Sequence, residues 1–281
     1  MKKIDLLIIL VVYKKRFNDI PALNFIQNFQ EKGDLELQLL IYDNSPEAIN
    51  SAEELPCGIS YVHNKNNPGL ATAYNYALDV ATNYNCEWLL LLDHDTELIM
   101  DYFIKVFALF KQSILTSDIV AIMPIVKAQQ VTIALVKREF IRYHVALNKT
   151  GKLTGNISGI NSGTIVRISF VKQLGGFNLN FPLDYLDHWF FNEIRKAGKY
   201  VYVLDTTIHQ NLSVLNFHEN INPVRYNSIL RAQVLFYRDK SLLFSMRLKL
   251  ILLKKLIKHL LYTKNKQYAL LTLKHLIESF K

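Results

Sequence analysis

Cysteine is scarce in this sequence, with Cys57 and Cys86 the only two. Two thiols make no disulfide framework, and neither stands in a metal-ligand spacing, so the chain is expected to suit a reducing cytoplasm. Long apolar runs are missing too. No stretch approaches the roughly 20 apolar residues that span a bilayer. The opening run Ile4–Val12 is broken by Asp5, has no small-residue cleavage site and leads straight into Tyr13-Lys14-Lys15-Arg16. A buried parallel strand accounts for it better than a secretory signal. Acidic residues all but vanish near the end. Ser241–Lys281 holds nine Lys/Arg against Glu278 alone, which leaves 24 basic against 23 acidic residues in the first 240. The net charge of +9 therefore belongs to a tail. With basicity confined there and no aromatic-basic sheet motif, nucleic-acid binding is not expected. Internal repeats and flexible linkers are also lacking.

What is present is a large apolar fraction, half of 281 residues, enough for a sizeable core and too much for a disordered chain. The first hundred residues alternate in a βαβα rhythm. Strands are expected at Ile4–Val12, Leu35–Tyr42, Ile59–His63 and Trp88–Leu92. Helices are expected at Phe17–Gln30, from Asn66 through Thr82, and near Met100–Leu115. Strands alternating with helices at this spacing imply a parallel sheet with helices on both faces, whose ligands bind at the carboxyl ends of the strands. Further strands are expected at Ile119–Val126, Thr164–Arg167 and Tyr200–Leu204, with a helix from Asp187 to Lys196.

Polar clusters fall at the strand ends. Asp93-His94-Asp95 directly follows four apolar residues, Leu89-Leu90-Leu91-Leu92, and two carboxylates one residue apart at a strand lip can share a divalent cation. The same triplet also reads as a polar turn in which Asp95 or Thr96 caps the next helix. Asp43-Asn44-Ser45 admits a pair of readings as well, a carboxylate for a base or ribose, or an Asx-turn at a strand exit. Asn67-Pro68-Gly69 feeds a helix N-terminus, whose N–H groups make an anion site.

Taken in order, these segments resemble the family-2 glycosyltransferases. The resemblance rests on Val12-Tyr13, Tyr42-Asp43-Asn44-Ser45, Asn67-Pro68-Gly69-Leu70-Ala71 with Asn75, and Leu92-Asp93-His94-Asp95. It continues through Ser162-Gly163-Thr164-Ile165-Val166-Arg167, Gly175-Gly176-Phe177-Asn178 and Asp184-Tyr185-Leu186-Asp187-His188-Trp189. The Asp-Tyr-x-Asp pattern is similar to a rhamnosyltransferase-like branch, as are His209, Pro223-Val224-Arg225 and Arg231 downstream. His94, Trp189 and Tyr226-Asn227-Ser228 depart from the family's usual residues.

The resemblance implies a GT-A fold, a mostly parallel α/β sheet with helices on both faces, and a C-terminal helical extension. Residues 1–240 would form the catalytic domain, with a nucleotide-sugar half (1–115) and an acceptor half (116–240), followed by a basic amphipathic tail (241–281). The implied reaction is inverting transfer of rhamnose or a similar hexose from a dTDP- or UDP-linked donor to a saccharide or lipid-linked saccharide acceptor, with Mg2+ or Mn2+ as cofactor, in cell-surface polysaccharide synthesis. Asp187 is the implied general base, with an N-cap role compatible beside it. Asp95 is the implied metal ligand, with Asp93 on the ribose or metal-bound water and His209 on metal or diphosphate. Val12, Tyr13, Asp43, Asn67, Gly69 and Asn75 fall on the nucleotide-sugar side, joined by Arg225 and Arg231, which could grip diphosphate or pair with acids. Asp184, Tyr185, His188 and Trp189 fall on the acceptor side. His218 receives no role.

Two alternatives stay open at this point. A nucleotidyltransferase also uses paired carboxylates on an α/β sheet, but opens with a glycine-rich phosphate loop that Val12–Arg16 lacks. A non-catalytic nucleotide- or carbohydrate-binding homologue needs only the pockets. In the tail, Leu242–Leu261 interleaves an apolar stripe with Arg247, Lys254, Lys255 and Lys258. It reads either as a helix on an anionic membrane surface, making a cytoplasmic enzyme peripheral, or as a helix packed on the body with solvated lysines.

Overall fold

The computed structural model describes residues 4–30, 36–56, 58–128, 131–134, 136–137, 145–147, 149–210, 222–238 and 240–280, with backbone alone at 24 and 27–30. Cys57 and His218 lie outside these residues. The chain divides into two compact units, Met1–Asn211 and Leu212–Lys281.

The first unit is built on one mixed sheet. Its strands are β1 (Leu6–Val12), β2 (Leu37–Asp43), β3 (Ile59–His63), β4 (Trp88–Asp93), β5 (Thr96–Glu97), β6 (Ile119–Ala128) and β7 (Val131–Ala134). After two short strands, β8 (Val136–Lys137) and β9 (Val145–Ala146), come β10 (Gly151–Leu153), β11 (Ile157–Ser158), β12 (Thr164–Arg167) and β13 (Tyr200–Gln210). The order across the large sheet is β10-β13-β6-β12-β4-β1-β2-β3, with β5 on β13 and β7 on β6; β11, β8 and β9 form a separate small sheet. Pairing is parallel from β3 through β2 and β1 to β4, while β12 lies antiparallel between β4 and β6. The helices are α1 (Pro21–Gln30), α2 (Leu70–Asn83), α3 (Met100–Phe110), α4 (Ile168–Gln173) and α5 (Leu186–Lys196).

All seven residues of β1 are buried, because β2 and β4 flank it on both edges and helices cover its faces. Each such Leu or Ile contributes roughly 1.5–3 kcal/mol of burial. The chain runs outward from β1 to β2 and β3, then returns to place β4 on the other side of β1. That reversal is the switch point at which an open α/β sheet opens a crevice beyond its strand ends. The helix α2 that follows β3 buries Ala71, Tyr74, Ala77, Leu78 and Ala81 at helical spacing. Alanine at three of these positions lets the helix approach the sheet closely. At its start Gly69 has φ 92 and ψ −177, and a Cβ there would stand 2.3 Å from the carbonyl oxygen of Pro182.

Some boundaries differ from the sequence reading. Phe17–Asp19 is a single 3-10 turn, and α1 starts only at Pro21, whose fixed φ and missing N–H suit the first helical position. The strand expected to end at Leu204 runs on to Gln210, across Asp205-Thr206-Thr207. Arg167 is buried at the end of β12, where its guanidinium donates to the carbonyls of Ile119, Leu115 and Thr116, pairs with Glu87 and lies 4.3 Å over the Trp88 ring. Its role is to hold β12. Cys86 is buried, unpaired, and donates to the carbonyl of Trp88.

The second unit contains α6 (Pro223–Arg238), α7 (Leu242–Tyr262) and α8 (Gln267–Glu278), which pack on one another. Leu230, Tyr237, Leu248 and Leu252 are buried in it. So is a polar chain in which the Tyr226 hydroxyl lies 3.0 Å from His259 Nε2 and 2.8 Å from Thr272 Oγ1. Among the described residues no helix is long and apolar enough to cross a membrane.

Candidate active site

Four segments meet at the carboxyl ends of β1, β2 and β4. Register fixes the first contacts, with Val11 opposite Asp93 and Val12 opposite Asp43. Asp43 is fully buried. Its carboxylate accepts from the Ser45 amide (2.8 Å), the Tyr61 hydroxyl (3.0 Å) and Asn50 Nδ2 (3.4 Å). The first of these is the Asx-turn of the alternative reading; the Tyr61 and Asn50 bonds come from β3 and the loop between. Burial, and then the Asp43 charge, push the Tyr61 hydroxyl far above its ordinary range, so it stays a donor. Asn50 also accepts from the Phe17 amide and donates to the Lys15 carbonyl, and Ser45 Oγ accepts from the Lys14 amide. The loop after β1 is thereby pinned, with Lys14 at φ 52 and Tyr13 40% exposed beside it.

Asp93-His94-Asp95 forms a turn between β4 and β5. The helix-cap reading of this triplet is excluded, because α3 begins at Met100 with Ile99 as its N-cap and no side-chain cap bond. Asp93 is held by its amide, which donates to Ser162 Oγ at 2.9 Å, and by the Tyr74 hydroxyl at 3.4 Å. Burial is the largest influence on the Asp93 carboxyl, followed by the Asp95 charge, and Asp187 adds to it; together they push its pKa up to about 7. The Tyr74 hydroxyl, driven well above its ordinary range by burial, feels Asp93, Asp187 and Asp95 in that order. Tyr74 thus touches Asp93 and lies in the field of the other two carboxylates. Asp95 Oδ1 accepts from Gln210 Nε2 at 3.3 Å, and Gln210 keeps its buried Oε1 without a partner among the described residues. Burial lowers the His94 pKa, against the pull of the Asp95 charge.

Asp187 lies in the first turn of α5, whose N-cap is Tyr185 at φ 68, so Asp187 is not the cap. Its Oδ1 accepts from the His188 amide at 2.6 Å, with His188 Nδ1 at 3.4 Å. Asp184 is half-buried in the loop just before, Tyr185 packs edge-on against His188 with ring centres 4.8 Å apart, and Trp189 is partly buried one residue further on. That loop docks on α2. The Pro182 carbonyl accepts from the Ala71 amide at 3.3 Å and so occupies part of the helix N-terminus that the sequence offered as an anion site. Asn67, at φ 44, turns the chain into it.

Other sequence-predicted residues have surroundings of their own. Asn75, placed on the nucleotide side by resemblance, has its amide engaged with the Phe177 backbone, accepting from N–H at 2.7 Å and donating to C=O at 2.9 Å. His209 is exposed on β13, next to the Gln210 that reaches Asp95. Neighbours on a strand point to opposite faces, so His209 faces away from Asp95. Among the described residues no three His, Cys, Asp or Glu side chains form a cluster able to hold a metal. Arg225 and Arg231 are on α6 of the second unit, six residues apart. That spacing turns them about 120° from each other on a helix, so they do not share a face.

Sequence reasoning missed Tyr74, Gln210, Tyr61 and Pro182 as site residues. For Gln210 the signal was strand parity, which needed the true length of β13.

Residues 38–168 match the family model for glycosyl transferase family 2, a span that includes Asp43, Asp93, Asp95 and Ser162. No curated protein matches. Among solved structures the chain is similar to S. aureus TarS, with TM-score 0.54 and 13% identity over 96% of this chain and 55% of that one. It spans little more than half of that protein. It is similar also to S. aureus TarS 1–349 in complex with UDP-GlcNAc, with TM-score 0.60 and 14% identity over 99% of this chain and 82% of that one. A third is the mannosyltransferase PcManGT from Pyrobaculum calidifontis in complex with GDP-Man and Mn2+, with TM-score 0.52 and 13% identity over 99% and 86%. Residues 38–168 are thus similar to glycosyl transferase family 2, and the chain shares the GT-A fold of these glycosyltransferase structures.

Proposed function

We propose that this chain is an inverting hexosyltransferase that uses a nucleoside-diphosphate sugar and a divalent cation. The observation that carries the proposal is the pair Asp93 and Asp95 at the end of β4, where Asp93 also feels the charge of Asp187 at the start of α5. Negative charge gathered at a strand lip suits a hard cation, which takes one or two carboxylates and completes its shell with phosphate and water. Asp95 would hold it, with Asp93 near the ribose or a coordinated water and the unpartnered oxygen of Gln210 adding an acceptor of the right kind. When bound, Mg2+ or Mn2+ neutralises charge on the nucleoside diphosphate as it leaves.

The rest is work for the side chains. Asp43, fixed by Tyr61 and Asn50, orients the base or ribose beside Val12 and Tyr13. Asp187 accepts the proton of the acceptor hydroxyl while that oxygen bonds to the anomeric carbon from the face opposite the departing diphosphate. The carbon–oxygen bond to phosphate breaks, and both its electrons leave with the diphosphate. Asp184, Tyr185, His188 and Trp189 line the acceptor approach. The neighbours' ligands, UDP-GlcNAc and GDP-Man, support a nucleotide-linked hexose; the Asp-Tyr-x-Asp resemblance favours rhamnose or a similar sugar, dTDP- or UDP-linked, and a saccharide or lipid-linked saccharide acceptor.

Calorimetric titration of UDP, dTDP and GDP with Mn2+ or Mg2+ tests this reading. The wild type should bind one nucleotide diphosphate in a cation-dependent way, and Asp95→Ala should lose that dependence while staying folded. Binding that is identical in excess chelator, or unaltered in Asp95→Ala, would remove the cation from the account.

A further inference from the structure

Helix α7 carries an apolar face that the described residues of its own unit do not cover. Leu243, Met246, Leu250, Leu253, Ile257 and Leu260 are each between 44% and 59% exposed. At about 100° per residue, these six fall within roughly 100° of arc along almost the whole helix, a length of about 26 Å. The opposite side is the packed one. Leu248, Leu252 and His259 are buried there, and Lys255 turns inward to donate to Gln233 on α6.

Charge flanks the apolar arc. Lys254 and Lys258, both exposed, lie just beyond one edge, with Arg247 between them on the same flank. Lys249 lies beyond the other edge, and its ammonium stands 4.2 Å over the ring of Phe280. Phe280, 66% exposed, continues the apolar surface onto α8, where Leu270 and Ile277 are 66% and 55% exposed. No acidic residue occurs in α7.

We infer that the face of α7 between Lys249 and Lys254 is a docking surface for an anionic lipid bilayer, on which the helix lies in the plane of the interface. A helix with a broad exposed apolar arc and basic margins matches the two components of such a surface, acyl chains within and acidic headgroups at the rim. Spanning is ruled out by its charge, and no described helix is long and apolar enough to cross. A second copy of this chain fits the same face less well. Pairing two such helices brings basic margins together, and neither contributes an acid to offset them. The inference rests on the second unit alone and does not depend on the transferase reading.

The test is flotation of the full chain with vesicles of equimolar phosphatidylglycerol and phosphatidylcholine, and with phosphatidylcholine vesicles alone. The wild type is expected to float with the acidic vesicles and to stay behind with the neutral ones. Each lysine near an acidic surface is worth about fivefold in partitioning, so Lys254→Gln with Lys258→Gln should lower it about thirtyfold. Leu250→Gln, Leu253→Gln and Ile257→Gln together should abolish flotation with the circular dichroism spectrum unaltered. If the apolar triple variant fails to fold, the lysine pair still decides. Wild type that does not float with acidic vesicles overturns the inference, as does a lysine pair variant that partitions like wild type. So does sedimentation equilibrium showing a dimer that the lysine pair variant retains, together with no flotation. Nucleotide binding is untouched by these variants, so failure here leaves the transferase reading standing.

Discussion

Replacing Gly69 by alanine tests the joint between α2 and the loop that leads to Asp187. Gly69 sits at φ 92 and ψ −177, a region essentially reserved for glycine, and an alanine held there costs about 1–3 kcal/mol. Its Cβ would stand 2.3 Å from the Pro182 oxygen, about 1 Å inside an ordinary C···O contact of about 3.3 Å. The loop must retreat by that amount. Retreat also stretches the Ala71 N–H bond to the Pro182 carbonyl, already 3.3 Å, worth about 0.5–1.5 kcal/mol. The combined loss is about 2–4 kcal/mol, which lowers the melting temperature of a unit of this size by roughly 6–12 °C. Gly175→Ala is the control. Gly175 has φ 83 but nothing near its missing Cβ, so it should cost only the backbone strain of about 1–2 kcal/mol. Melting curves of the two variants decide the matter. A Gly69→Ala protein no less stable than Gly175→Ala would show that the close approach of Pro182 does not exist.

Two further outcomes follow from single side chains. Asn75→Ala leaves the Phe177 N–H and C=O without their shared partner, so it should destabilise by about 1–3 kcal/mol in urea unfolding while nucleotide affinity is kept; lost affinity with unchanged stability would return Asn75 to the ligand. Burial lowers the Lys255 pKa from 10.5 to about 8, so the folded state binds fewer protons between those values and stability should rise as pH climbs from about 8 toward 10.5. Lys255→Met should therefore raise the melting temperature near pH 7 and lose that advantage near pH 10, and an equal gain at both would contradict the burial.

The first hundred residues were legible because local signals coincide there. The run Ile4–Val12 had to be a strand buried on both faces, and Asp43 and Asp93 each end a strand at the place the reading gave them. Apolar periodicity gave α2, and Pro68-Gly69 its start. What stayed hidden depends on contacts distant in sequence. Asn75 matched a family position, yet its partner is Phe177, 102 residues away, and no pattern near Asn75 announces it. The turn-like Asp205-Thr206-Thr207 concealed the second half of β13, and with it the parity that brings Gln210 rather than His209 to Asp95. The cap reading of Asp95 was plausible locally and failed because β5 intervenes before α3, pairing with a strand that forms more than a hundred residues later. Orientation of β12 was likewise invisible, since a short apolar strand reads the same in either direction.

Asp187 carries the central claim, that this cleft transfers a sugar by taking a proton from the acceptor. The most direct measurement is kcat for Asp187→Asn alongside its affinity for the nucleotide, with Asp184→Asn as the neighbour control. Asparagine preserves size and hydrogen bonding but cannot accept the proton, so kcat should fall by about 10²–10⁴-fold while nucleotide affinity barely moves. Asp184→Asn should lose less. Near-normal turnover in Asp187→Asn with a dead Asp184→Asn would transfer the role of base to Asp184, and normal turnover in both would contradict the account.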